Sequence, residues 1–258
     1  MPLVKLVDEA TATPEIKELF LDARRLVAPV ISNVKLEKIK LTAFSRAMAN
    51  VPAFLRSHTH EYSYVMAKGT LPKVTKEILA FTVSMTNGCP YCATSHASLV
   101  RYLGLGDQEI TELASVVGHI SGLNAFEHGC LMDANGAQEM FTSGSADQPP
   151  LLEEIEQTLG FLPNYYKVMA RDPSFLECIW ERERATMLSG RLDRVTKELV
   201  AYSTSATNRA LYSVRVHVRM LKQLGLTDRQ LFEALEVTNT LNRSNKFSEG
   251  LRIEGEDH

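Results

Sequence analysis

Apolar side chains recur along this chain at intervals of three and four residues, the period of a helix with one face turned inward. Ile16, Leu19, Phe20 and Ala23 keep that spacing behind Thr13-Pro14, where a threonine suits the N-cap and a proline the first helical position. Val74, Ile78, Phe81 and Met85 keep it over 73–87, and Gly88 interrupts it. A further helix is predicted from about Pro90 to Leu103, ended by Gly104, with Asp107 capping the next. Pro52 and Pro173 each open a helix after a helix-like stretch. Strand-length alternation and hairpin signals are absent. The pattern predicts an all-α fold.

The pattern also occurs twice. At an offset of 121 residues Val74-Thr75-Lys76-Glu77 returns as Val195-Thr196-Lys197-Glu198, His96 as His217, and Leu103-Gly104-Leu105 as Leu224-Gly225-Leu226. Over 74–107, 14 of 34 positions are identical without a gap, which is beyond coincidence and makes the chain a tandem duplication. The register extends outward, pairing Pro52 with Pro173 and Phe126 with Phe247. The expected organisation is an N-terminal helical arm (1–30), a first repeat (31–132), a linker rich in Gly, Ser and Pro (133–150), and a second repeat (151–258). The copies differ at three informative places. Gly88, Cys89 and Cys92 stand opposite Arg209, Ala210 and Ser213, so the second copy keeps Glu198 and His217 but has no thiols. It is expected to be structural, its Glu–His pair a satisfied core interaction.

Composition narrows the chemistry. With 258 residues, 45 % of them hydrophobic, the chain can bury a core without disulfides or structural metal. A net charge of −3 gives no field that would draw nucleic acid or an anionic membrane. No stretch of about eighteen apolar residues is present, so no transmembrane helix is expected. Met1 to Ala10 has no secretory pattern, which leaves the cytoplasm as the expected location. In a reducing compartment a close cysteine pair points to catalysis or metal binding. Cys130 and Cys178, each alone, are expected as small buried hydrophobes.

The pair lies in Asn87-Gly88-Cys89-Pro90-Tyr91-Cys92-Ala93-Thr94-Ser95-His96. A helix N-terminus carries unpaired N–H groups and partial positive charge, which favours a thiolate. Spacings of three and seven put Cys89, Cys92 and His96 on one helical face, with the imidazole placed to exchange a proton. Glu77, twelve residues before Cys89 on the preceding helix, can fold back to orient His96 or relay its proton. The same four groups would also make a zinc set. Of His58 and His60, two apart on a helix, one is expected at the surface and the other toward the site.

Glu77, Cys89-Pro90-Tyr91-Cys92 and His96, at this spacing, resemble the signature of the AhpD-like alkylhydroperoxidases of the carboxymuconolactone decarboxylase superfamily. Leu159 to Glu177 is similar to the Gly-x-x-Pro-Asn lead-in of peroxidase-related members. The resemblance implies an AhpD-like helical fold and a thiol-dependent peroxidase or disulfide reductase, assembled as a trimer or hexamer. It uses a peroxide and an external dithiol, and no cofactor. By the same analogy Cys92 attacks, Cys89 resolves, and Glu77 with His96 relays protons. Tyr91 replaces the histidine that one branch has between its cysteines. The position of Cys89 nearer the helix end leaves the reverse order of attack open. Decarboxylase or ring-opening chemistry on the same scaffold, or an assembly module without activity, are the alternative readings.

Overall fold

The structure is a computed structural model, and it describes residues 1–27, 35–138, 140–141 and 149–254. The junction between the expected arm and first repeat lies outside these residues, as does part of the expected linker. The described chain is helical, with α1 (Pro14–Val27), α2 (Ala43–Met48), α3 (Pro52–Ala67), α4 (Lys73–Asn87), α5 (Pro90–Tyr102) and α6 (Asp107–Gly129) in the first half. The second half holds α7 (Leu151–Leu159), α8 (Asn164–Met169), α9 (Pro173–Glu183), α10 (Arg194–Thr207), α11 (Leu211–Gln223) and α12 (Asp228–Gly250), with a π-helical turn at Arg184–Leu188. No strand occurs among the described residues. This is the expected all-α architecture of two repeats. No described helix is long and apolar enough to cross a membrane.

Local chemistry sets the helix ends. Gly88 takes a left-handed conformation (φ 71°) and donates its N–H to Met85 O, while Cys89 N–H reaches Ser84 O. Only glycine adopts that geometry at little cost. At the equivalent place in the second copy Arg209 is held at φ 60°. Gly106, not Asp107, is the N-cap of α6. The Gly106 N–H donates to Glu109 Oε2, and Asp107 is the first helical residue, its charge beside the positive helix end.

The compact units are cut differently from the sequence repeats. One unit comprises residues 1–105 and 232–258; the other comprises 106–231. Each therefore closes with the last helix of the other copy. In the first unit the buried carboxylate of Glu233, on α12, accepts the N–H groups of Thr70 and Leu71, both at 2.8 Å, with Lys76 Nζ 4.0 Å away. In the second, Glu112 on α6 accepts from Arg191 N–H (2.8 Å) and Leu192 N–H (3.0 Å), with Lys197 Nζ at 3.4 Å. These groups correspond one to one at the 121-residue offset. Gly69 and Gly190 complete the two turns at φ 109° and 107°, where a Cβ would collide with the capping carboxylate.

In the first unit Leu19, Phe20, Leu41, Met48 and Leu55 form a core with Phe247 packed against it. Leu3 N–H bonds Leu251 O, so the N-terminal segment is tied to the chain that follows α12. In the second unit Trp180 and Tyr166 are fully buried and meet edge to face, and Trp180 Nε1 donates to Glu154. Cys130 is buried, but Cys178 is exposed, contrary to expectation. The inward face of α9 is Leu176, Trp180 and Glu183, and Cys178 lies off that stripe.

Candidate active site

Helix α4 is buried continuously from Thr75 to Ser84, so Glu77 enters the interior as part of a core helix. A carboxylate there needs a partner. Glu77 Oε2 lies 3.0 Å from His96 Nδ1, and both groups are buried. A carboxylate only accepts, so Nδ1 carries the ring proton and Nε2 is left as the basic nitrogen. Tyr62 is half-buried nearby, and desolvation, together with the charges of Glu77 and Cys92, pushes its phenol well above its ordinary pKa.

Cys89 is the N-cap of α5, and its sulfur accepts the Cys92 N–H at 3.4 Å. Pro90 follows at the first helical position, where a missing N–H costs nothing. Both thiols are free and buried, Cys89 2 % and Cys92 6 % exposed. They are not equivalent. The Cys92 thiol donates to Cys89 and, against the opposing effect of burial and Glu249, lowers the Cys89 pKa to about 7; the Cys92 N–H and Ser248 add to it. Cys92, as the donor and itself desolvated by burial, is pushed up. The two thiols share a proton unequally, the Cys89 pKa shifted down and the Cys92 pKa shifted up.

The two sulfurs open in different directions. Cys89 lines a cleft of about 680 Å³ together with Tyr91, Ser248, Glu249, Arg252 and Lys40. Cys92 lines a smaller cavity of about 150 Å³ with His96, Glu77, Tyr62 and His58. Burial lowers the His58 pKa to about 4, so its ring is neutral near pH 7, packed against Phe44 and Tyr62. His60 is exposed and does not line this cavity. Among the described residues no three His, Cys, Asp or Glu side chains are grouped to hold a metal ion.

The second unit shows why the smaller cavity exists. Ser45 and Thr59, which line it, correspond to Tyr166 and Trp180, the large side chains that fill the other core. Glu198 Oε2 lies 2.8 Å from His217 Nδ1, repeating the Glu77–His96 geometry, and Glu198 Oε1 also takes Arg194 at 2.6 Å. Glu183, in the place of Tyr62, pairs with His119 at 2.7 Å. Burial pushes Glu183 upward, but His119 and Arg194 outweigh it and leave its pKa lowered. This is a charge-satisfied interior without a nucleophile.

Sequence reasoning named Glu77, Cys89, Cys92 and His96, and the structure brings all four into one region of the first unit. It missed Ser248, which lies in the second repeat but beside the thiols. The available signal was its partner at the repeat offset, Glu127, a carboxylate exchanged for a hydroxyl.

Residues 52–132 and 173–253 both match the carboxymuconolactone decarboxylase family. No curated protein matches the sequence. Among solved structures, a proposed gamma-carboxymuconolactone decarboxylase subunit from Burkholderia xenovorans LB400 is 18 % identical at a TM-score of 0.61, covering 93 % of this chain and 98 % of that one. An uncharacterized peroxidase-related protein from Silicibacter sp. TM1040 is 14 % identical at a TM-score of 0.54, with 99 % and 92 % covered. Another, from Ralstonia eutropha JMP134 and described as an alkylhydroperoxidase AhpD core, is 12 % identical at 0.53, with 99 % and 93 % covered. At these identities the structures share the AhpD-like fold. With both repeats matched over more than half its length, the chain belongs to the carboxymuconolactone decarboxylase family.

Proposed function

We propose that this protein is a thiol-dependent peroxidase or disulfide reductase. It cycles Cys89 and Cys92 between dithiol and disulfide, with His96 and Glu77 as the proton relay. The observation that carries this reading is the Cys89 sulfur at the N-cap of α5, accepting the Cys92 N–H and opening onto a cleft. A thiolate held near neutral pH is the reactive form of cysteine.

The Cys89 thiolate attacks a peroxide oxygen. An S–O bond forms, the O–O bond breaks, and the alkoxide leaves as an alcohol after taking a proton. Cys89 is then a sulfenic acid. Cys92 passes its proton to His96 Nε2, which Glu77 orients, and its sulfur attacks Cys89. The S–S bond forms, the S–O bond breaks, and the hydroxide takes the proton from the imidazolium and leaves as water. An external dithiol reduces the disulfide by exchange and is itself oxidised. The sum is one peroxide and one dithiol converted to alcohol, water and a disulfide. A reducing compartment such as the cytoplasm suits that cycle, and a homo-oligomer, trimer or hexamer, belongs to the same reading.

The test counts free thiols before and after one equivalent of an organic hydroperoxide. Two thiols per chain should disappear and return with a dithiol. Cys92→Ser should stop at a trappable sulfenic acid on Cys89, and Cys130→Ser should behave as the parent. A Cys89→Ser, Cys92→Ser double variant that still turns over a carboxylated lactone substrate would favour decarboxylase chemistry, in which the thiols are idle. No loss of thiols from the parent overturns the peroxidase reading.

A further inference from the structure

Ser248 stands on α12 beside the two sulfurs and lines the same cleft as Cys89. It is 1 % exposed, and its hydroxyl makes no well-formed hydrogen bond among the described residues although it acts on both sulfurs. A buried hydroxyl left unpaired is costly, so a position that keeps one calls for a reason.

The second unit supplies the comparison. Its residue at the position of Ser248 is Glu127 on α6. The Glu127 carboxylate accepts the N–H of Tyr212 (2.8 Å), the N–H of Ser213 (2.9 Å) and the Ser213 hydroxyl (2.5 Å). Tyr212 and Ser213 correspond to Tyr91 and Cys92. The start of α11 is therefore neutralised by a carboxylate reaching over from the closing helix. At the start of α5 that carboxylate is cut back to a hydroxyl, and the acceptor of the helix N–H is the Cys89 sulfur. Three differences between the copies go together: Ala210 against Cys89, Ser213 against Cys92, and Glu127 against Ser248.

We propose that Ser248 is a working part of the thiol centre: its small side chain leaves the α5 N-terminus to a thiolate, and its hydroxyl donates to the sulfur that carries the charge. This rests on the redox reading above. It is consistent with the effect of Ser248 on both thiols, whose pKa values it lowers. The other groups facing the pair are accounted for. Glu249, on α12, opposes the thiolate. Arg252 and Lys40 line the cleft, Tyr91 and His96 lie on α5, Glu77 on α4, and His58 and Tyr62 on α3. None of them stands at the position that a carboxylate fills in the other copy. One consequence concerns the duplication itself. The cysteines come from the first repeat and the hydroxyl from the second, so neither repeat contains the complete centre.

The experiment uses the full chain and reads thiolate ultraviolet absorbance against pH, with the rate of thiol loss to an organic hydroperoxide at neutral pH. Ser248→Ala should raise the Cys89 midpoint and slow oxidation by roughly three- to tenfold, about the worth of one ordinary hydrogen bond. Ser248→Thr should restore both. Ser248→Glu, which reproduces the arrangement at α11, should keep the helical circular dichroism of the parent and suppress the thiolate at neutral pH. Parent-like midpoints and rates in both Ser248→Ala and Ser248→Glu would overturn the inference. A parent that shows the low thiolate midpoint but loses no thiols to peroxide sinks the peroxidase reading alone, because the titration still reports what Ser248 does.

Discussion

At the scale of single residues the chemistry turns on where one proton sits between two sulfurs. The Cys89 thiol, ordinarily at 9.0, is brought to about 7 because the Cys92 thiol and then the Cys92 N–H donate to it. Alkylation of Cys89 should therefore rise about tenfold per pH unit up to roughly 7 and level off above it. Cys92→Ala should move that midpoint upward by removing the main donor. A parent midpoint near 9, measured by rate of alkylation against pH, contradicts the arrangement. The linkage to stability has a definite sign. The folded protein gives up this proton near 7 and the unfolded chain near 9, so the contribution is complete above about 9 and is lost as pH falls through about 7. Cys89, Cys92, His96 and Glu77 were legible in sequence because helical spacing and a helix-start position are local facts. Ser248 was not, because its proximity depends on which helix closes the unit, and a lone serine in an amphipathic helix carries no signal of its own.

Element boundaries were legible where a glycine or proline marks them, and less so where tertiary contacts decide. Gly88 ends α4 as the pattern predicts, whereas the start of α6 fell one residue from Asp107 because the Gly106 N–H found Glu109. Arg209 is the instructive counterpart of Gly88, a side-chain-bearing residue held in the left-handed region. That conformation costs roughly 1–2 kcal/mol for a residue with a Cβ, and glycine recovers most of it less the entropy of a freer unfolded chain. Arg209→Gly should leave the fold intact and raise stability by up to about 1 kcal/mol, read as a higher denaturant midpoint at unchanged slope. A lower midpoint would show that the arginine side chain makes a compensating contribution. The cavity beside Cys92 was likewise invisible in the sequence alone. Ser45 and Thr59 read as ordinary helix residues until Tyr166 and Trp180 show what a filled version holds.

For the whole molecule, the duplication was plain in the sequence and the exchange of closing helices was not. Repeat similarity says which residues correspond, but not which copy a helix packs with. The exchange gives the two units different contact separations. In the first, α12 meets partners some 160 residues away, as in Leu71–Glu233, while the second closes over about 80, as in Leu192–Glu112. Loops of greater length are slower to close. Trp180 is the sole tryptophan and is fully buried in the second unit, so its fluorescence follows that unit. During refolding from denaturant its signal should recover before Cys89 and Cys92 become protected from alkylation. Protection of the cysteines first would argue that the first unit gathers without its last helix.

The same exchange bears on how the protein is made. Cys92 leaves the ribosome 156 residues ahead of Ser248 (248 minus 92), which at about 5–20 residues per second is roughly ten to thirty seconds of translation. For that interval the two sulfurs of the nascent chain lack the helix that will cover them, and the half synthesised first is the half finished last.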